Sequence, residues 1–115
     1  MNIVDVKRIL IKNYHGCDGE LFDDGYVDVA VVFKDSAEIR GLLNGYVFDD
    51  VSDTVWLWAI FNKRGTKSPY YLTDQDTGGR ISGRTNLGKA LLQLFDDDIR
   101  QARNKILKDL EEKNK

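Results

Sequence analysis

The segment from Gly83 to Ala90 comes closest to a motif that does chemistry, because its glycines and lysine are spaced as in a phosphate-binding loop. Gly83 is followed by four residues and then by Gly88 and Lys89. The next position must carry Ser or Thr to hold magnesium, and here it is Ala90. Such a loop also follows a buried strand, whereas segment 76–82 is polar. The sequence therefore predicts the capped start of a helix at this point rather than a nucleotide site.

The polar segment before it has the beginning of a calcium-binding loop. Asp74 and Asp76 occupy the first and third positions of that loop, and Gly79 occupies the sixth. The fifth position is Gly78, which has no side-chain ligand, and the twelfth is Thr85 where a bidentate acid is required. Because these ligands are missing, we expect a solvated loop and no metal.

The single histidine, His15, and the single cysteine, Cys17, lie two residues apart. One of each cannot fill a tetrahedral zinc site. Side chains on either side of a glycine usually diverge, so we do not expect a Cys–His nucleophile pair. We expect a histidine at the end of a helix and a partly buried thiol. The clustered aspartates, including 96–98, are typical of solvated turns and a helix face. The sequence thus predicts a protein that is not an enzyme, with no catalytic residues, no metal and no cofactor.

The distribution of charge is more informative than the net charge of −2. Residues 1–62 hold five basic against eleven acidic residues, whereas residues 63–89 hold six basic against two acidic residues. Fifteen of the nineteen acids are Asp, a residue of turns and caps, so we expect much of the acidity in loops. Such asymmetry indicates electrostatic partners and says nothing of the fold.

Our first hypothesis is a small non-catalytic protein-binding domain, such as an inhibitor, an immunity protein or a regulatory factor. Its acidic surface would meet a basic partner, for example a nucleic-acid-processing protein, by electrostatic complementarity. We expect this surface at the clustered aspartates of the first half of the chain: Asp23, Asp24, Asp49, Asp50 and Asp53. In its brevity, its acidity and its lack of catalytic groups, the chain resembles small phage and mobile-element inhibitors as a class.

The alternative hypothesis is a nucleic-acid-binding protein that uses the basic, glycine-containing segment 63–89. Its cations would contact phosphates while a tyrosine stacks on a base. The residues concerned are Lys63, Arg64, Lys67, Tyr70, Tyr71, Arg80 and Arg84.

The fold is predicted around Val55–Phe61, seven consecutive apolar residues that are rich in aromatic and β-branched side chains. A strand without polar alternation usually lies in the middle of a sheet that is covered on both faces. Trp56 and Trp58 share one face of this strand. If the helices cover only the other face, the two tryptophans are the most plausible aromatic contact for a partner; if they are buried, the strand is scaffold.

The remaining elements complete an α+β domain with an antiparallel sheet of four to six strands. Asn2 is expected to cap a short helix that ends at Gly16, with a strand over 3–14 as the alternative. The alternation in 26–34 predicts a strand. Asn44-Gly45 and Arg64-Gly65 are expected to form hairpins, although Ser36 could instead cap a helix that ends at Gly45. Spaced apolar residues after Thr85 or Asn86 predict a long C-terminal helix that packs on the sheet.

The size of the chain, 115 residues, predicts a single domain over 1–115. The chain start lacks the pattern of a signal peptide, and no apolar run approaches the roughly 20 residues that a membrane span requires. We therefore expect a cytoplasmic protein that does not bind membranes. A homodimer is left open.

Overall fold

A computed structural model of the chain describes residues 2–22, 26–43, 48–49, 53–61, 69–74 and 79–113, with only the backbone given for 48–49, Asp74 and Lys113. It confirms the predicted α+β class. An antiparallel sheet carries a long C-terminal helix and a short N-terminal helix. The elements, in chain order, are α1 (Ile3–Asn13), β1 (Tyr14–Leu21), β2 (Val27–Lys34), α2 (Ala37–Leu42), β3 (Phe48–Asp49), β4 (Thr54–Phe61), β5 (Tyr70–Asp74), β6 (Arg80–Ile81) and α3 (Asn86–Lys113).

Strand β4 is the central strand, as its unbroken apolar sequence predicts. The sheet order is β1-β2-β4-β5-β6, and every pair is antiparallel. The two-residue β3 pairs with the beginning of β4, on the side where β5 pairs with its later part. The antiparallel pairing of β4 with β5 is the arrangement predicted for a hairpin at Arg64-Gly65, although the turn itself lies outside the described residues.

The helices cover one face of the sheet, and this fact decides which side chains form the core. Odd-numbered residues of β2 and β4 point to the helices and are fully buried. Apolar residues of α1 and α3 pack against them. Helix α3 also packs across β1, where Ile106 lies over the Cα of Gly19. The even-numbered residues therefore occupy the opposite face, which we call the open face.

Polar caps set the beginnings of the helices. The Asn2 side chain accepts a hydrogen bond from the Asp5 amide at 3.0 Å, so the predicted cap is confirmed and the strand alternative for 3–14 is wrong. At α3 the Thr85 hydroxyl accepts from the Gly88 amide at 3.1 Å. Such caps satisfy amides that lack a partner within the helix.

The segment before Asn44-Gly45 forms α2, the helix capped by Ser36 that was the alternative prediction, and not a strand of a hairpin. The Ser36 hydroxyl accepts a hydrogen bond from the Ile39 amide at 3.1 Å and starts the helix. Ile39 and Leu43 are four residues apart and both buried, which is helical spacing. Asn44 and Gly45 lie outside the described residues.

The segment Cys17–Gly19 contains an Asp-Gly pair typical of turns, but it lies inside β1. Helix α1 accordingly ends at Asn13 and not at Gly16. His15 is an extra residue between the paired positions of Tyr14 and Gly16, and it makes a β-bulge in this edge strand. Gly16 has a φ of 147°, a value that favours glycine. Among the described residues, no helix has the length and apolar character needed to cross a membrane.

Candidate functional site

The open face of the sheet carries an unusual number of aromatic side chains. Strand alternation places Trp56 and Trp58 of β4 and Tyr71 of β5 on it. At the end of the β1–β2 hairpin, the Phe22 amide donates to the Tyr26 carbonyl at 2.9 Å, which continues the pairing by one row. Phe22 is 42% exposed and Tyr26 is 40% exposed. Within the described part of the chain, these five aromatic residues share a face that α1, α2 and α3 do not cover.

Trp56 and Trp58 form the centre of this face. Their ring centroids are 5.6 Å apart and the planes are tilted by 48°. The Trp56 indole N–H donates to the Thr54 hydroxyl at 2.7 Å, which fixes the orientation of that ring. Both tryptophans are half-buried, so they are neither core residues nor fully exposed. They retain apolar surface that a partner could cover.

Carboxylates flank the tryptophans on the β1 side of the open face. Asp18 is opposite Ala30, which in turn is opposite Trp58. Glu20 is opposite Asp28 in the next row. Asp18 and Glu20 are exposed and Asp28 is half-buried. Adjacent strands are about 4.8 Å apart, so the β1 carboxylates lie roughly 10 Å from the tryptophan strand.

The five aspartates that the sequence predicted as the acidic surface are not seen together. Asp23, Asp24 and Asp50 lie outside the described residues, and for Asp49 only the backbone, paired with Thr54, is described. Asp53 is exposed with a φ of 53°, and its carbonyl accepts a hydrogen bond from the Asp35 amide at 2.8 Å. Their role as one acidic surface stays a prediction.

The structure brings together two of the residues predicted to bind nucleic acid and separates a third. The guanidinium of Arg80 lies 4.2 Å from the centroid of the Tyr71 ring, at the β6 edge of the open face. Tyr70 points to the helix side, where its ring is 4.9 Å from that of Phe61. Arg84 is exposed in the turn before α3. Lys63, Arg64 and Lys67 lie outside the described residues.

Two tyrosine hydroxyls tie the middle of α3 to the sheet. Tyr70 donates to Asp96 at 2.6 Å, and Tyr14 donates to Asp98 at 3.1 Å. Asp96 also accepts from Arg100 at 3.1 Å. Burial, followed by the hydrogen bond to Asp96, raises the pKa of Tyr70 well above its usual value. The run 96–98, expected to be a solvated helix face, therefore includes two structural hydrogen-bond acceptors.

Replacing Tyr70 by phenylalanine is expected to change the alkaline stability of the protein. Because the folded-state pKa is raised, the phenol stabilises the fold fully below about pH 10, and this contribution is lost as pH rises toward the folded-state value. The wild-type free energy of unfolding should fall above pH 10 by up to about 1.4 kcal/mol per pH unit more steeply than that of Tyr70→Phe. The measurement is urea denaturation between pH 7 and about pH 11.

The neutral-pH data serve as the internal control for that experiment. Near pH 7 the variant should be less stable by about 1–2 kcal/mol, since the hydrogen bond to Asp96 is lost. The two stability curves should then converge at alkaline pH. Parallel curves would show that Tyr70 does not bind its proton more tightly in the folded protein.

Cys17 and His15 lie in different surroundings. The Cys17 thiol is half-buried, as expected, and its sulfur lies 3.3 Å from the Tyr14 hydroxyl. Burial raises the pKa of this thiol, which disfavours the reactive thiolate. His15 is exposed on the β-bulge, directly after Tyr14, the C-cap residue of α1. Across the described ranges, no three His, Cys, Asp or Glu side chains are grouped closely enough to hold a metal.

Sequence reasoning missed Asp18, Glu20 and Asp28 as members of the candidate site, and it missed the exposed aromatics Phe22 and Tyr26. For Asp28 the sequence pattern could have shown the placement, because Asp28 alternates with Val27 and Val29 in a predicted strand. For Asp18 and Glu20 it could not, because glycines occupy two positions of β1 and interrupt the alternation.

Comparison with known proteins adds no functional information. No family model, curated protein or solved structure matches this chain significantly. The open face itself is therefore the basis for a functional argument.

Proposed function

We propose that this protein binds a basic protein partner through the open face of its sheet, and that it acts by occupying that partner's surface rather than by catalysis. The observation that carries the proposal is the placement of Trp56 and Trp58 on the open face together with the carboxylates of β1. A nucleic-acid-processing protein is a suitable partner because its working surface is positively charged. The protein would then be an inhibitor, an immunity protein or a regulator.

The aromatic residues are suited to supply most of the affinity. Tryptophan and tyrosine dominate the energetic centres of protein interfaces, because they bury large apolar areas and keep a polar group for hydrogen bonding. The Trp56–Trp58 pair lies in the middle of the sheet, and Phe22 and Tyr26 lie at one end of the same face. This arrangement, with anchors at the centre and polar groups around them, is typical of interfaces.

The carboxylates are suited to guide the approach of the partner. Charges at the rim of an interface mainly change the association rate and its dependence on salt. Asp18 and Glu20 are exposed and adjacent to the aromatic rows, so a basic partner would be attracted to the correct face. A partner without a positive patch would gain nothing from this arrangement.

The double variant Asp18→Lys/Glu20→Lys tests whether the negative charge of the open face attracts the partner. A partner captured from the native host on the wild-type protein should bind the variant with an association rate roughly tenfold lower at low salt, because steering is lost. The dissociation rate should change much less. Surface plasmon resonance at several ionic strengths measures both.

The matched control is Asp97→Lys/Glu111→Lys, which changes the net charge equally at exposed positions of α3. This control should reduce the association rate far less. An equal reduction in both variants would mean that net charge, and not the open face, attracts the partner. No captured partner, or a partner that is acidic, would contradict the proposal.

Nucleic-acid binding is a second candidate because Arg80 stacks on Tyr71, a pairing that can hold a base next to a phosphate. Arg84 adds an exposed cation in the turn that follows β6. The carboxylates on the same face oppose this function. Single-stranded DNA or RNA that binds at low salt, and is lost on Arg80→Gln, would favour it over the protein partner.

A further inference from the structure

A groove of about 370 Å³ opens where β6 separates from β5. Among the described residues, the two strands pair at Leu72 with Ile81 and at Thr73 with Arg80. If this register continued, Ser82 would lie opposite Tyr71 and Gly83 opposite Tyr70. The chain turns toward α3 instead, so the edge of β5 next to the two tyrosines borders the groove. A volume of this size falls within the range of small-ligand sites.

The turn that creates the groove is held by hydrogen bonds. The Ser82 carbonyl accepts from the Thr85 amide at 3.2 Å and from the Thr85 hydroxyl at 2.8 Å. The Ser82 hydroxyl accepts from the Arg84 amide at 3.1 Å. Because these bonds join the turn to the beginning of α3, the wall opposite β5 is fixed before any ligand arrives.

The other walls are also fixed, and most of them are apolar. Tyr70 is anchored by its hydrogen bond to Asp96, and Tyr71 lies under the guanidinium of Arg80. Ile81 and Leu92 add aliphatic surface, and Leu92 is 38% exposed. Among the described residues that line the groove, Arg80 alone is charged, and none is acidic.

We propose that this groove binds a small aromatic carboxylate. The ring would lie between Leu92 and the edge of β5 at Tyr71, and the carboxylate would pair with the guanidinium of Arg80. Guanidinium groups bind carboxylates in a bidentate manner, and these charge-assisted hydrogen bonds are stronger than neutral ones. The groove requires no partner protein, so the inference goes beyond the proposed docking on the open face.

A pair of probes that differ only in charge tests the inference, namely 1-naphthoate and its neutral analogue 1-naphthamide. In amide-proton NMR titrations, naphthoate should shift the signals of Ile81, Gly83 and Leu92. It should also bind wild-type protein at least fivefold more tightly than naphthamide. Arg80→Gln should remove this preference and leave the weaker binding of naphthamide unchanged.

Arg84→Gln is the matched control, because Arg84 is an exposed cation of the same turn that does not line the groove. It should keep the preference for naphthoate. Three results would overturn the inference: equal affinity of the two probes for wild-type protein, an equal loss of preference in both arginine variants, or shifts confined to the Trp56–Trp58 region. The last result would show nonspecific binding to exposed aromatic residues. A fall in partner binding is not a readout here, so failure of the two proposals can be told apart.

Discussion

Replacing Gly88 by alanine is expected to destabilise the protein by about 1–3 kcal/mol, although helix propensity alone predicts a gain of about 1 kcal/mol. Gly88 is buried in the first turn of α3. A Cβ at this position would overlap the carbonyl group of Ser82 and lie 3.0 Å from the Cα of Gly83. These are backbone atoms, so a side-chain rotation cannot relieve the overlap.

The turn at Ser82 cannot move away at low cost. The Ser82 carbonyl accepts hydrogen bonds from the Thr85 amide and from the Thr85 hydroxyl. The Thr85 hydroxyl in turn accepts a hydrogen bond from the Gly88 amide. Moving Ser82 would therefore weaken the cap of α3 as well as the turn. Urea denaturation of wild type and Gly88→Ala measures the difference in free energy of unfolding.

Gly41→Ala is the matched control, because Gly41 is an exposed helical glycine of α2 with no atom within 4 Å of an added Cβ. This substitution should stabilise the protein by about 0.5–1 kcal/mol. The opposite signs separate the packing effect from helix propensity. If Gly88→Ala also stabilises the protein, the close approach of α3 to Ser82 is wrong.

The sequence identified the central strand because its signal does not depend on context. A strand of seven consecutive apolar residues is typical of the interior of a sheet, and β4 is the central strand of this sheet. The long helix α3 could be predicted equally well, because its apolar spacing persists over many turns. In both cases the local distribution of apolar residues was sufficient.

The segment 38–43 shows where local signals conflict. Asn44-Gly45 favours a hairpin and Ser36 favours a helix, and both signals are valid in isolation. A helix places Ile39 and Leu43 on the same side, and both side chains are buried. The sequence does not reveal that burial, because it results from packing against other elements.

Predicting the candidate site would have required the register of the strands, which could not be derived from the sequence. Strand β1 was not recognised because Gly16 and Gly19 interrupt its pattern, and both have structural reasons to be glycine. Without β1, the carboxylates of Asp18 and Glu20 could not be placed on the same face as Trp58. The sequence did predict that Trp56 and Trp58 share a face and that their exposure depends on where the helices pack.

Replacing Trp58 by alanine is expected to weaken partner binding by about 2 kcal/mol or more, a roughly 30-fold loss of affinity. Trp58 lies at the centre of the open face, between the carboxylates of β1 and the Tyr71–Arg80 edge. Central aromatic residues contribute most to interfaces because their surroundings exclude water once the partner is bound. Titration calorimetry with the captured partner measures the change.

Val4→Ser is the control, since Val4 is 70% exposed on α1, which packs on the opposite face of the sheet. It should leave the affinity within about twofold of wild type. Circular dichroism must show that Trp58→Ala is folded, and Phe22→Ser provides a second test at a 42% exposed position of the same face.

The salt dependence of partner binding distinguishes the contribution of Trp58 from that of Asp18 and Glu20. The loss on Trp58→Ala should persist at high salt and come mainly from faster dissociation, because apolar contacts are not screened. The loss on Asp18→Lys/Glu20→Lys should shrink as ionic strength rises. If removing Trp58 leaves partner affinity unchanged while the charge variant abolishes it, the interface is electrostatic and the tryptophan pair serves the fold alone.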